Sequence, residues 1–316
     1  MPDMKNTAIK NTVPKTRVSG TPRLHSRSLA KEERAAYLFL IPWIIGMLVF
    51  FAWPFLNSLW LSFTNSRLRG GDFIGFDNFI RMFTRDRNFL KSLAVTTRYA
   101  LVGIPLKLCF ALALALILKK GATFYRTSYY IPSLIGSSVA VAVMWRQLFA
   151  REGIISQVGS LFGIEPRAWL GMPEYALNIL IILAVWQFGS SMVIFIAGLK
   201  NIPGELYEAA RIDGAGPFRC FTTITLPMLS SVIQFNLVLQ LIGGFQAFTQ
   251  GYVITRGGPM NETLFTVQHI YQEAFGGGMR IGYASAMSWI LFLLIAVITM
   301  VIFLSSRYWV FYTNEG

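Results

Sequence analysis

Two groups of residues in this 316-residue chain have types and spacings that could do chemistry, and in neither is the chemistry bond-making. The first runs through "NIPGELYEAARIDGAGPFRCFTTITLPML", where Glu208 is followed by Ala209 and Ala210, then by Asp213, Gly214 and Ala215, and later by Ile224, Leu226 and Pro227. A carboxylate beside a face of small side chains can enter a cleft and meet a cation there, so this segment reads as a docking surface. The second group is polar, uncharged and set inside apolar runs: Gln187 and Ser190 in "WQFGSSM", and Asn236, Gln240, Gly244 and Phe248 in "QFNLVLQLIGGFQAFTQGY". The last four recur at steps of four and would form one stripe on a continuous helix. Polar side chains inside membrane spans face a bundle interior or a water-filled path. Amides between spans also act as interhelical glue, and Gly243-Gly244 also permits close helix packing.

Lys107 stands apart, because it falls near the middle of an otherwise apolar stretch and all 15 acids lie outside the expected spans or at their edges. A charge at that depth is costly, and its partner is expected elsewhere: a second subunit, backbone carbonyls, water, or an anionic substrate such as a uronate oligosaccharide or a sugar phosphate. Arg98, nine residues earlier, points to the opposite side at 100° per residue. Other chemistry is excluded. No G-x-x-x-x-G-K-[ST] occurs, so the chain has no Walker A loop to cradle a nucleotide. His25 lies in the N-terminal tail and His269 is expected alone in a loop, forming no metal or catalytic set. Cys109 and Cys220 are far apart and form no disulfide or zinc framework. "GGGMR" (Gly276 to Arg280) reads as a turn, since no strand precedes it. An intramembrane enzyme would need paired catalytic groups, and Lys107 has none at its depth.

The elements that position these residues are membrane spans. Only 14% of the chain is charged, against roughly 25% for a soluble domain. No Asp, Glu, Lys or Arg occurs from Ala35 to Ser66, Tyr175 to Leu199, Cys220 to Thr255 or Ile281 to Ser306, and each window exceeds the ~20 residues that cross a bilayer as helix. A run around Thr127 to Trp145 and another over Tyr99 to Leu118 bring the expected count to six. The predicted boundaries are about 36–62, 92–118, 128–149, 175–198, 228–252 and 282–306, within a domain over 35–308.

Residues 1–34 carry eight Lys/Arg and three Pro with no apolar block, so they are expected to be a disordered basic cytoplasmic tail. The apolar run that follows is too long for a cleavable signal. A basic tail ahead of the first span places the N-terminus in the cytoplasm, and six spans return the C-terminal end, 309–316, to the same side. Against this orientation stand Arg67, Arg69, Arg81, Arg85, Arg87 and Lys91, all on the expected outer side. The net charge of +13 fits a membrane protein's loops, and no nucleic-acid partner is expected.

The segment 201–227 predicts a helix-turn-helix. Pro203 suits the first helical turn, with Glu205 and Glu208 near the positive dipole end. Gly214 closes that helix in the left-handed conformation, Gly216-Pro217 starts a second, and Pro227 is expected to break it before the fifth span. The spacing Glu-Ala-Ala, three residues, Gly, nine residues, Ile-x-Leu-Pro resembles the EAA loop of ABC-importer permeases, matched at Glu208, Ala209, Ala210, Gly214, Ile224, Leu226 and Pro227. The likeness extends through "FIGFDNFIRMF", "FYRTSYYIPSLIGSSVAVAVMWRQLF", "ITRGGPMNETLFTVQHIYQEAF", "IGYASAMSWILF" and "SRYWVFY". These resemble the first permease subunit of carbohydrate importers of the maltose and glycerol-phosphate type.

That resemblance implies an all-α integral membrane fold of the type I importer permease, in a bacterial or archaeal cytoplasmic membrane, with the loop facing the cytoplasm. It implies a second homologous permease subunit, two ATP-binding subunits that carry ATP and Mg, an extracellular solute-binding protein, and a sugar or oligosaccharide substrate. The chain itself would bind no cofactor. Glu208 would meet a basic residue of the ATPase, and Gln187, Ser190, Asn236, Gln240, Gly244, Phe248 and Lys107 would line the path, where amides beside aromatic rings suit sugars. The competing readings are an importer permease for another solute class and an ATPase-independent channel or scaffold, which uptake assays and partner recovery separate.

Overall fold

The computed structural model describes residues 26–67, with backbone alone over 26–36, and residues 70–119, 128–130 and 138–311. Among these the structure is helical, apart from isolated bridges that pair Thr64 with Phe73 and Arg67 with Gly70. The helices are α1 (Ser26–Met47), α2 (Trp53–Ser62), α3 (Asp77–Thr84), α4 (Arg87–Leu118), α5 (Val139–Leu148), α6 (Ile154–Leu161), α7 (Pro173–Trp186), α8 (Gly189–Lys200), α9 (Gly204–Ile212), α10 (Pro217–Cys220), α11 (Leu226–Phe245), α12 (Thr266–Phe275) and α13 (Ile281–Trp309). The chain divides into two compact units, Met1–Leu56 and Asn57–Gly316, and the hydrophobic core lies in the second.

Among the described residues, four helical stretches are long and apolar enough to cross a bilayer: Tyr37–Ser62, Arg87–Leu118, Pro217–Phe245 and Ile281–Trp309. The pair α7 and α8 passes the same test as one span bent by 41°. The span expected over 128–149 lies partly outside the described residues. Its described part is α5, where the Ser138 hydroxyl caps the helix by accepting from the Val141 amide at 3.3 Å. Residues 1–25 and Arg69 are also outside the described residues.

Several expected boundaries move, each for a local reason. Helix α1 begins at Ser26, so residues 26–34 of the tail expected to be disordered are helical. The run "LAKEERAA" is built of strong helix formers. Helix α4 starts at Arg87 rather than 92, because the Asp86 side chain accepts from the Phe89 amide at 3.0 Å and so supplies an N-cap. The fourth span is broken at Gln187 and Phe188, ahead of a Gly-Ser-Ser run with weak helix preference. The fifth ends at Phe245, just past Gly243-Gly244.

Pro227 does not break its helix. A π turn over Phe221–Thr225, closed by the Leu226 amide to the Phe221 carbonyl, stands directly before it. The wider turn makes room for the proline ring, and Thr223 Oγ1 donates to the Arg219 carbonyl at 2.6 Å. Helix α10 thereby runs into α11 as one rod of 29 residues. The same device recurs at Leu48–Ala52, a π turn that precedes Trp53 and Pro54.

Helix α4 is the axis of the second unit. Ala100, Ile104, Leu108, Ala111 and Ala115 are buried at helical spacing against Phe188, Met192, Phe195 and Leu199 of the α7–α8 region and Leu229, Leu241 and Phe245 of α11. By contrast α13 leaves Phe292, Val297, Val301, Phe303 and Leu304 about half exposed, an apolar surface suited to hydrocarbon or another subunit.

At the end away from α9, three segments lock together. Asn78 donates from Nδ2 to the Ser62 and Thr64 carbonyls at 2.8 Å. The Gly282 amide donates to the Ser66 carbonyl at 3.0 Å, and a Cβ on Gly282 would stand 2.1 Å from the Thr64 carbonyl oxygen. Asp86 Oδ2 accepts from Tyr283 Oη at 2.7 Å and lies 3.3 Å from His269 Nε2. His269 is therefore paired rather than alone. Burial raises the Asp86 pKa, but hydrogen bonds from Tyr283, the Phe89 amide and His269, with the His269 charge, outweigh it and hold the carboxyl below its usual range.

Two outcomes follow. Gly282→Ala forces the 63–73 segment off α13 and lowers stability by about 1–3 kcal/mol, read as a lower melting temperature in detergent. Because the folded-state pKa of Asp86 is depressed, its contribution is complete above the ordinary carboxylate value of about 3.9 and is lost as pH falls through the folded value. Asp86→Asn should therefore flatten the acid limb of the stability curve, and an unchanged limb counts against this assignment.

Candidate functional site

The docking surface is built on α9. Gly204–Ile212 forms the helix with Pro203 as its N-cap residue, one position earlier than expected. Asp213 is the C-cap, and Gly214 turns left-handed at φ +76°. The Gly214 amide donates to the Arg211 carbonyl at 3.0 Å and the Ala215 amide to the Ala210 carbonyl at 2.8 Å, the paired bonds of a Schellman motif. Any side chain at 214 would be strained there. The helix is held to the membrane rod by Tyr207 Oη and Thr225 Oγ1, 2.9 Å apart, and Lys119 Nζ lies 4.9 Å from the Tyr207 ring centre.

What this helix presents is unsatisfied. Glu208, Ala209, Asp213 and Gly214 are exposed, with Ala210 and Ala215 half-buried. Leu206, Ile212 and Phe218 are exposed apolar groups on the same loop, Ile212 at 87% and Phe218 at 79%. Among the described residues Glu208 belongs to no ion pair. Ile224 packs on the core, while Leu226 is exposed and Pro227 half-buried at the join with α11. Cys220 is a free thiol within contact of the Ala215 carbonyl, at 3.7 Å.

The polar residues expected to line a path are only partly brought together. Lys107 is buried, and its partner is in this chain: Nζ donates to Gln240 Oε1 at 2.8 Å. That corrects the expectation of a partner elsewhere, and follows from two helices packed closely enough for a neutral amide to reach the ammonium. One turn away, Asn236 is fully buried and donates from Nδ2 to the Ser191 carbonyl at 3.2 Å. Asn236 Oδ1 and the Ser191 hydroxyl make no hydrogen bond among the described residues. Gly244 lies where a Cβ would meet Ile104 at 3.2 Å. Gln187 and Ser190 are half-buried at the break between α7 and α8. Arg98 is exposed on the other side of α4, as the helical angle requires.

Phe248 leaves the stripe, because α11 ends before it. Its ring instead stacks on Tyr252, with centroids 5.0 Å apart and planes 15° apart, and lies 5.3 Å from Tyr271. Sequence reasoning missed the Asp86–His269–Tyr283 junction because its members are far apart in the chain. The available signal was that "TRDRNF", "TVQHIYQEAF" and "IGYASAM" all carry polar residues beside long spans.

The family described as the binding-protein-dependent transport system inner membrane component matches residues 87–312. The chain belongs to that family. The permease is 47% identical over 297 residues to the probable ABC transporter permease protein YesP of Bacillus subtilis (strain 168), covering 92% of this chain and 96% of that protein. It is 32% identical over 280 residues to the lactose transport system permease protein LacF of Rhizobium radiobacter, covering 86% and 93%. A crystal structure of a bacterial alginate ABC transporter, in complex with alginate pentasaccharide-bound periplasmic protein, contains a chain that superposes with TM-score 0.76 at 22% identity, over 89% of this permease and 96% of that chain. The fold is therefore that of a type I ABC-importer permease, and the permease is a multi-pass membrane protein.

Removing the Lys107 partner tests the buried pair. Gln240→Leu leaves an unpaired buried ammonium and should destabilise the permease by about 2 kcal/mol or more, whereas Lys107→Met with Gln240→Leu should recover most of that loss. Equal melting temperatures for the single and double variants would show that Lys107 has water or another partner.

Proposed function

We propose that this chain is the permease subunit of an ATP-driven importer and forms half of the translocation path for a sugar or oligosaccharide. The observation that carries the reading is the α9 loop: a Schellman-closed helix whose Glu208 carboxylate is exposed and belongs to no ion pair among the described residues, beside exposed Leu206, Ile212 and Phe218. Such a surface fits a cleft in an ATPase subunit, with Glu208 meeting a basic residue there and Gly214 providing the turn. The sugar class is supported by relatives named for sugar transport and by interhelical amides at Asn236, which is buried, and Gln240, which is half-buried.

In this reading two ATPase subunits bind ATP and Mg, and the permease holds no cofactor. Closure of the ATPases displaces α9, and the rod formed by α10 and α11 carries the displacement into the bundle, rocking it against a second, homologous permease. A solute-binding protein docks at the opposite end and delivers the sugar. Both termini and the 201–227 loop are cytoplasmic, and the chain resides in a bacterial or archaeal cytoplasmic membrane.

Affinity purification from native membranes tests this. The wild-type chain should bring down an ATP-binding subunit and a second permease. Gly214→Asp should lose the ATPase while keeping the second permease, because aspartate at φ +76° distorts the cap. Recovery without any ATPase under gentle conditions would favour a channel or scaffold instead.

A further inference from the structure

At the end of the bundle remote from α9, a hollow of about 760 Å3 opens between α5, the π turn Gly251–Thr255 and α12. That volume lies within the roughly 300–1,000 Å3 of ligand sites. Three independent features give it a chemistry.

The first is a ladder of rings. From Phe248 the rings pass to Tyr252, to Tyr271 at 5.6 Å from Tyr252, and to Phe275 at 5.2 Å from Tyr271. Tyr252 and Tyr271 are each 41% exposed, and Phe275 is 72% exposed. Part-exposed tyrosine rings suit the apolar faces of sugar rings while the phenol oxygens stay wet.

The second is charge. Arg146 and Arg256 both line the hollow, and no Asp or Glu does. Among the described residues neither arginine belongs to an ion pair. Arg256 is carried at a left-handed position, φ 54°, and is followed by Gly257 at φ 88°. The third is an unsatisfied amide. Gln268 also borders the hollow and is fully buried, yet among the described residues neither Oε1 nor Nε2 makes a hydrogen bond. Its carboxamide fits against Gly251 and Gly257, where a Cβ would stand 2.9 Å from Oε1 and 3.2 Å from Nε2. Buried polar groups are nearly always bonded, so this wall of the hollow carries polar capacity that the described chain leaves unused.

We propose that the hollow is a vestibule that binds an acidic oligosaccharide before it enters the translocation path. Sugar rings stack on Tyr252 and Tyr271, carboxylates meet the guanidinium groups of Arg146 and Arg256, and Gln272 supplies amide donors and an acceptor to the hydroxyls. Arginine is suited to this role because its planar fork pairs with a carboxylate through two hydrogen bonds. This inference rests on the sugar-importer reading and adds to it a second binding site and a charge class.

The test uses the whole transporter complex in lipid nanodiscs, titrated calorimetrically with trigalacturonate and with its methyl ester, which keeps the rings and removes the charge. The acid should bind about ten-fold or more tightly than the ester, the ratio expected for a lost charge-assisted hydrogen bond. Arg256→Gln should abolish that difference without weakening ester binding. Tyr271→Ala should weaken both ligands by about five-fold, the scale of an aromatic contact, and Tyr271→Phe should restore them. If Tyr271→Ala does not assemble, Tyr252→Ala probes the same ladder. Equal affinity for acid and ester, or unchanged binding in the arginine and tyrosine variants, overturns the vestibule. Co-purification of the ATPase subunits is scored on the same samples, so failure of the importer reading and failure of the vestibule are seen separately.

Discussion

The close approach of α4 to α11 is the constraint from which the rest of the second unit follows. Gly244 has no side chain where a Cβ would press on Ile104, and Ala100, Ala111 and Ala115 keep the facing side of α4 small. In hydrocarbon there is no hydrophobic drive between helices, so van der Waals packing of small residues and interhelical hydrogen bonds must hold them. The seam uses both. At its centre the helices are near enough for Lys107 to reach Gln240, which makes a buried ammonium tolerable without any carboxylate nearby.

From that seam the two ends acquire different characters. Towards α9 the rod is continuous, because a π turn accommodates Pro227 and threonine hydroxyls return to the carbonyls of the preceding turn. Helix α9 is therefore tied to the rod twice, through the short turn of residues 213–216 and through the Tyr207–Thr225 contact. The remote end is instead cross-braced. Asn78, Asp86, His269, Tyr283 and Gly282 join segments as far apart in the chain as Ser66 and Gly282, and Thr266 donates its amide to Thr96 Oγ1 at 2.9 Å. That bracing gives the vestibule rings and arginines a rigid platform.

Much of this was legible in the chain itself. Charge-free windows announced the spans because the bilayer admits no uncompensated polar group. Gly214 announced its left-handed cap because a helix closed by Asp-Gly-Ala needs a residue that adopts positive φ. The exposure of Glu208 and Ala209 was local as well, since a short surface helix presents the residues it is made of. Likewise Arg98 and Lys107 were placed on opposite sides of one helix by nothing more than 100° per residue.

What only the tertiary structure decided was everything that depends on distance between helices. The partner of Lys107 is a neutral amide 133 residues away, and no periodicity within either helix encodes how close the two axes come. Phe248 left the predicted stripe because α11 ends after its two glycines, and where a helix stops is a competition between local preference and packing against neighbours. Pro227 was read by its local effect, which is to break a helix, whereas the surrounding threonines and a widened turn keep the rod whole. His269 looked solitary because a single histidine carries no signal of the aspartate that the fold sets beside it. Sequence determines which residues share a face, through fixed bond geometry. Which faces meet is set by the summed packing of all the helices.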